Sequence, residues 1–322
     1  MANLIFWGIL GIIIIIILYY FDFPWIVGTY IVSYSSVNNF CPSISRGIPV
    51  GIASYGPFST FSQVTGYANI SSISVSGASL QLNNALQVDF YGGQQINYWV
   101  QNVLVISPQG YYFVDNVWSL FPVQQGVLPQ SIVGNGGVST YNSLYYYAFS
   151  TNRITSSETP IRVALMVNTS LNGQQDPVIY FSYAVLNSQN QVIERHTYDK
   201  VTIKAPAVLS YFIRTPNKGP PFEEYASQDY YLYFDSELVF GGPGDGSSAT
   251  FNSLNASLLL AGGSGKKLNA FSSLCTYGWN TAESSTNLHV SLSNGIPIVY
   301  VGSINKSLLT TDLQKQVTNV FN

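Results

Sequence analysis

The side chains of this 322-residue chain that could pass protons are fifteen carboxylates and two histidines, few enough to inspect singly. Four of the acids stand inside apolar or aromatic sequence. Asp115 lies in Phe113-Val-Asp-Asn-Val-Trp118, and Asp235 and Glu237 in Leu232-Tyr-Phe-Asp-Ser-Glu-Leu-Val-Phe240. Glu283 lies in Trp279-Asn-Thr-Ala-Glu-Ser-Ser285. In a strand, residues i and i+2 share a face about 6.7 Å apart, so Asp235 and Glu237 project together. Two carboxyls within hydrogen-bond reach share one proton, which lowers one pKa and raises the other. Such a pair can hydrolyse an amide: one carboxylate activates water while its protonated partner polarises the carbonyl. An exposed strand edge gives the same spacing, and both readings stay open.

The remaining acids have simpler roles. Asp22, Glu158, Asp176, Glu223, Glu224, Asp229 and Asp312 sit in polar or Pro-rich surroundings and read as solvated charges. Asp245 forms a turn in a Gly-rich run, and Asp89 reads as an edge residue. Other chemistries lack their signatures. There is no H-E-x-x-H, and His196 and His289 have no ligand spacing. There is no G-x-S-x-G elbow, and Gly262-Gly-Ser-Gly-Lys-Lys267 misses the spacing of a phosphate loop. Neither a metal nor a cofactor is expected.

The elements that must position these acids read as strands. Beyond residue 45 no long stretch has a helical period; short apolar or alternating runs recur between Gly, Pro, Asn and Ser turns. Ile96–Ile106 and Tyr111–Trp118 form one expected hairpin, and Val178–Leu186 and Gln191–Tyr198 a second. Tyr230–Phe240 and Ile296–Val301 are further strands, and Ile304–Asn322 is expected to close with a short helix. The fold class is all-β, with antiparallel sandwich- or barrel-like sheets. One large β domain and two packed β units fit equally, with an internal boundary between residues 202 and 222, where prolines cluster.

Composition points to the compartment. Charged residues make up 8% of the chain, against roughly 25% in an ordinary soluble domain. Hydrophobic content is 47%, which excludes disorder, and twelve scattered cations exclude nucleic-acid binding as a main function. Neutral Tyr, Asn, Ser and Gln supply the polar surface, and their hydration does not change with pH. At about pH 2 to 3 most Asp and Glu are protonated, so a fold resting on surface ion pairs would fail there. This composition suits an acidic medium, and it equally suits a merely low-charge adhesive surface.

The segment Leu4–Tyr20 is seventeen uncharged residues, including six consecutive isoleucines. It is read as an N-terminal hydrophobic helix within residues 1–35, either a membrane anchor or a cleaved signal. Either one exports residues 36–322. Asn69, Asn168, Asn255 and Asn305 open N-glycosylation acceptor motifs, and Cys41 and Cys275 are candidates for a disulfide. Two free buried thiols remain the alternative.

The segments Gly51-Ile-Ala-Ser-Tyr-Gly56, Phe113-Val-Asp-Asn-Val-Trp-Ser119 and Tyr198-Asp-Lys-Val-Thr-Ile203 resemble the thermopsin family of archaeal acid peptidases. So do Tyr233-Phe-Asp-Ser-Glu-Leu-Val-Phe-Gly-Gly242, Thr281-Ala-Glu-Ser284 and Asn294-Gly-Ile-Pro-Ile-Val-Tyr300. The matches keep the family's order over residues 48 to 302, and the Asp-x-Glu-Leu-Val-x-Gly-Gly block is the distinctive one. The resemblance implies an exported endopeptidase of polypeptide substrates, acting at low pH and high temperature without a metal. It places acids at Asp115, Asp199, Asp235, Glu237 and Glu283. The pepsin-like D-[ST]-G signature is absent, because Glu follows Asp235-Ser236. Asp199 beside Lys200 reads as a neutralised structural pair, so Glu237 and Glu283 rank first as catalytic acids, then Asp235 and Asp115. The alternative is a membrane-tethered β-rich envelope protein without catalysis; a glycosidase fits the acids but no motif. Oligomeric state is not legible.

Overall fold

The computed structural model describes residues 50–303, apart from 55–58, 92–94, 122–126, 142–143, 153–158, 205–207, 216–235, 245, 265–266, 272–273, 279–280, 282 and 294–295. The expected N-terminal and C-terminal helices, Cys41, Asp235 and Asn305 therefore lie outside the described residues. Ser35–Asn322 forms one compact unit.

The described chain is all-β, and every pairing within its two large sheets is antiparallel. The first sheet holds β1 (Val50–Ser54), β2 (Ser59–Phe61), β4 (Ala78–Phe90), β5 (Gln95–Ser107), β6 (Gly110–Phe121), β8 (Gly137–Tyr141), β9 (Leu144–Ser150), β13 (Val208–Thr215), β14 (Ser236–Gly241) and β18 (Leu274–Tyr277). The second holds β3 (Gln63–Ser74), β7 (Ile132–Val133), β10 (Ile161–Leu171), β11 (Pro177–Leu186), β12 (Val192–Ile203), β16 (Ser253–Ser264), β17 (Lys267–Ala270), β20 (His289–Ser293) and β21 (Ile296–Tyr300). A short parallel pair joins β15 (Ser248–Ala249) to β19 (Ser284–Ser285). The spine of the first sheet runs β18-β1-β14-β4-β5-β6-β9-β8, and that of the second β20-β21-β16-β3-β10-β11-β12-β7.

Both expected hairpins form. Ile106 pairs with Tyr111 across the β5–β6 turn, and β11 returns as β12 around Asn187, whose N–H donates to Gln191 O at 2.9 Å. Asn190 closes that turn at φ 59°, a left-handed conformation that Asn tolerates.

The large sheets pack face to face. On β4 the alternate residues Leu80, Leu82, Leu86 and Val88 are buried, as the period of two requires. Opposite them, β3 carries Gly66, whose missing side chain would meet Leu238 Cδ1 at 2.7 Å and Leu82 Cδ1 at 3.2 Å. Glycine is needed there because the sheets approach closely. A polar rivet also crosses the interior: Asn102 of β5 donates to Met166 O at 2.9 Å and Ser182 O at 2.8 Å. Tyr198 donates back to Asn102 Oδ1 at 3.0 Å, so the amide is satisfied although fully buried.

The other face of β4 is also covered. Ser79, Gln81 and Asn83 alternate with the leucines yet are buried. Their side chains bond to one another: Gln81 Nε2 donates to Ser79 Oγ at 2.8 Å, and Gln101 Nε2 to Asn83 Oδ1 at 2.9 Å. An amide ladder thus lines the first sheet on the side away from the sandwich core.

Candidate active site

Register on β5–β6 sets Asp115 opposite Asn102, on the inner face of the first sheet. Asp115 is fully buried, and neither carboxyl oxygen meets an N–H or O–H in ordinary hydrogen-bond geometry. Its polar neighbour is the carboxyl of Asp199, reached across the sandwich from β12. Two neighbouring carboxyls in a dry interior resist ionising together. Burial, then the neighbouring Asp199 carboxyl, push the Asp115 carboxyl up to about 9; the Phe149 backbone opposes the rise. Asp115 is therefore the protonated member.

Asp199 is held as the acceptor. Its Oδ2 receives the Tyr147 hydroxyl at 2.5 Å, and its Oδ1 receives the N–H groups of Asn135 at 2.9 Å and Lys200 at 2.7 Å. Tyr147 in turn accepts the Gly136 N–H at 2.7 Å. Burial and then Asp199 push the Tyr147 hydroxyl far above its usual range, so it stays a donor. Aromatic rings wall the cluster: Phe113 stacks on Tyr183 at 3.8 Å, and Phe149 and Phe181 flank Tyr198.

Two local features build this arrangement. The first is a β-bulge on β12: Phe181 pairs with Asp199 but Ser182 with Thr197, leaving Tyr198 as the extra residue. Strict alternation would send Tyr198 and Asp199 to opposite faces. The bulge buries both, between exposed Thr197 and Lys200. The second is the turn Gly134-Asn135-Gly136, which leaves β7 in one sheet and enters β8 in the other. It covers the pair closely: a methyl on Gly134 would lie 2.1 Å from Tyr147 Oη, and one on Gly136 would lie 2.0 Å from Ala148 O.

The acids ranked first in the sequence stand elsewhere. Glu237 is fully buried on β14, beside Asn83 and Ala53 in register. Asn83 Nδ2 donates to Glu237 Oε1 at 2.7 Å, so Glu237 caps the amide ladder on the outer face of the first sheet. Oε2 faces Gly278, where any side chain would collide with it at 2.2 Å. Glu283 is half-buried against Gly241, accepts the Thr281 hydroxyl, and receives the Gly246 N–H at 3.3 Å. Gly241 is four residues along β14 from Glu237, about 13 Å at strand rise. The structure thus brings Asp115 together with Asp199, and sets Glu283 against the far end of β14, four residues along that strand from Glu237. Among the described residues no cluster of three or more His, Cys, Asp or Glu could hold a metal ion.

The thermopsin family model matches residues 30–288, most of the chain. The chain belongs to the thermopsin family. It is 28% identical over 326 residues to thermopsin of Sulfolobus acidocaldarius, covering 92% of each sequence. Thermopsins are acid proteases, and polypeptides are what a protease acts on. The match with the thermopsin model includes Asp115, Asp199, Glu237 and Glu283. Sequence reasoning passed over Asp199 because Lys200 stands next to it. In the structure Lys200 gives Asp199 its backbone N–H, while its ammonium lies over the Tyr180 ring, 5.8 Å from the centroid. The signal available in the sequence was the pair of acids in Phe113-Val-Asp-Asn-Val and Tyr198-Asp-Lys-Val, each preceded by a β-branched or aromatic residue and followed two places on by valine. The other marked residues fall as follows. Cys275 is buried on β18 and disulfide-bonded. Asn69, Asn168 and Asn255 lie within β3, β10 and β16.

Proposed function

We propose that this thermopsin-family chain is an exported acid endopeptidase whose catalytic pair is Asp115 and Asp199. The observation that supports the reading is a buried pair of neighbouring carboxyls with unequal surroundings. Asp115 has no ordinary N–H or O–H donor, and Asp199 has three. Unequal surroundings assign the roles. Asp115 offers its proton to the scissile carbonyl oxygen, and Asp199 takes a proton from the attacking water as the C–O bond forms. When the C–N bond breaks, that proton passes to the leaving amine, and a gem-diol hydroxyl returns its proton to Asp115 as the C=O bond re-forms, so both carboxyls regain their starting state. Substrate reaches the pair when the Gly134–Gly136 turn swings away from Tyr147 and Asp199.

Export follows from the apolar segment 4–20, and the charge-poor composition suits an acidic exterior. An uncleaved segment would tether the enzyme to the membrane surface. Glu237 is the second candidate acid, supported by its complete burial and its Asn83 partner.

The test is digestion of an unfolded protein between about pH 2 and 5 by the wild type and by Asp115→Asn, Asp199→Asn, Glu237→Gln and Glu283→Gln, each checked for folding by circular dichroism. Losing a general acid or base costs roughly a hundred- to ten-thousand-fold in kcat. A loss of that size in Asp115→Asn and Asp199→Asn supports the pair. Full activity in both folded variants, with loss in Glu237→Gln, moves the chemistry to Glu237. A folded wild type that cuts nothing favours a surface protein without catalysis.

A further inference from the structure

Among the described residues nothing guards the edge of the first sheet beside the pair. β8 ends the spine and, among the described residues, hydrogen-bonds to β9 alone. In an antiparallel ladder every second residue of such a strand turns its N–H and C=O outward. Proteins blunt such edges with charge, proline, bulges or a covering element, because a bare edge recruits another strand. β8 is Gly-Val-Ser-Thr-Tyr, without a charge or a proline, its pairing with β9 is regular, and four of its five residues are exposed. The contrast is β12, whose exposed stretch Val192–Thr197 carries Glu194, Arg195 and His196. One exposed edge near the pair is guarded and the other is bare.

The bare edge is also furnished for a peptide. Tyr141 and Tyr145 are 47% and 39% exposed. Trp118 stacks on Tyr146 at 4.4 Å and meets Tyr141 edge-on at 6.4 Å, so the outer face beside β8 is a fixed aromatic wall. β8 leads directly from the Gly134–Gly136 turn, and Val138 pairs with Tyr147, whose hydroxyl holds Asp199. In acid an unfolded polypeptide is cationic, and β8 presents no cation to repel it.

We propose that the free edge of β8 binds an extended segment of the polypeptide substrate as an added strand. Tyr141, Tyr145 and the Trp118–Tyr146 stack hold its apolar side chains, and the edge delivers the backbone to the turn above Asp115 and Asp199. Main-chain hydrogen bonds give this mode affinity with little sequence demand, and the alternate pockets give preference for aromatic and aliphatic side chains. Delivery to the pair rests on the catalytic reading above, but the binding does not.

The experiment therefore measures binding apart from turnover. A synthetic octapeptide of alternating valine and serine with a central phenylalanine is titrated at about pH 3 into full-length Asp115→Asn, with a copy N-methylated at alternate backbone positions as control. Saturable binding is expected, weakened at least tenfold by N-methylation and at least tenfold in Asp115→Asn carrying Ser139→Lys and Thr140→Lys. Both of those positions are exposed, so lysine there guards the edge without disturbing the core. Hydrogen exchange with and without peptide supplies the second reading, with new protection expected within residues 137–141. No binding, binding indifferent to N-methylation, or protection confined to another strand would overturn the proposal. So would a concentration-dependent dimer protected at β8 without peptide, which would make a second copy of the chain the occupant. If Asp115→Asn itself digests the octapeptide, the catalytic assignment fails while the binding arms still report on the edge.

Discussion

Asp115 couples the chemistry of the site to the acidity the surface suits. Its carboxyl rises to about 9 in the folded chain, chiefly through burial, against roughly 3.9 when unfolded. The folded state therefore favours the protonated form, and that contribution is fully present below about pH 4. It drains away as pH rises toward about 9, at up to roughly 1.4 kcal/mol for each pH unit in that window. The expected result is a melting temperature that is highest in acid and falls through neutrality, read by calorimetry at several pH values. Asp115→Asn keeps the shape and removes the titrating proton, so its melting temperature should vary less between about pH 4 and 8 than that of the wild type. An equal fall in both proteins would assign the pH dependence to other groups.

At the scale of elements, the β12 bulge and the Gly134–Gly136 turn decide what the two acids can do. A methyl on Gly136 must displace Ala148 O, and one on Gly134 must displace the Tyr147 hydroxyl. Overpacking of this kind costs typically 1 to 3 kcal/mol. Gly136→Ala should therefore lower stability by about that much and loosen the turn, which denaturant titration and exchange of the Asn135 and Gly136 amides would show. Unchanged amide exchange would mean that the turn does not close on the pair as tightly as its contacts imply. These elements also mark where the sequence stopped being informative. Alternation and turn residues announced the β5–β6 and β11–β12 hairpins, because period and turn chemistry are local. The bulge left only a slight trace, the adjacent polar pair Asp199-Lys200 that puts Tyr198 out of phase with Val201 and Ile203, and Asp199 read as paired with its neighbour rather than turned inward. Glu237 and Glu283 read as partners because a sequence carries no distance between strands, and the carboxyl opposite Asp115 arrives from another sheet.

For the whole molecule, the economy of charge is the dominant feature. At most +14 of side-chain charge can accumulate in strong acid, from twelve basic residues and two histidines over 322 positions. Several interior polar groups instead meet neutral partners: Asn102 with backbone carbonyls, Gln81 with Ser79, and Gln101 with Asn83. Salt screens exposed charges and leaves buried neutral hydrogen bonds alone. The melting temperature at about pH 3 should consequently change by less than ~3 °C between 0.05 and 1 M sodium chloride. A larger change, read by calorimetry, would mean that ion pairs carry more of the stability than the structure shows. Composition made this property legible at once, since it needs no knowledge of which residues meet.

The central claim is that Asp115 and Asp199 share one proton inside the sandwich. Carboxyl 13C chemical shifts of aspartate-labelled protein, followed from about pH 2 to pH 9 and assigned with Asp115→Asn and Asp199→Asn, report that proton directly. One aspartate that stays protonated through neutrality, vanishes in Asp115→Asn and titrates at lower pH in Asp199→Asn is the result expected. Two aspartates that ionise independently near pH 4 would contradict the pair and the mechanism built on it.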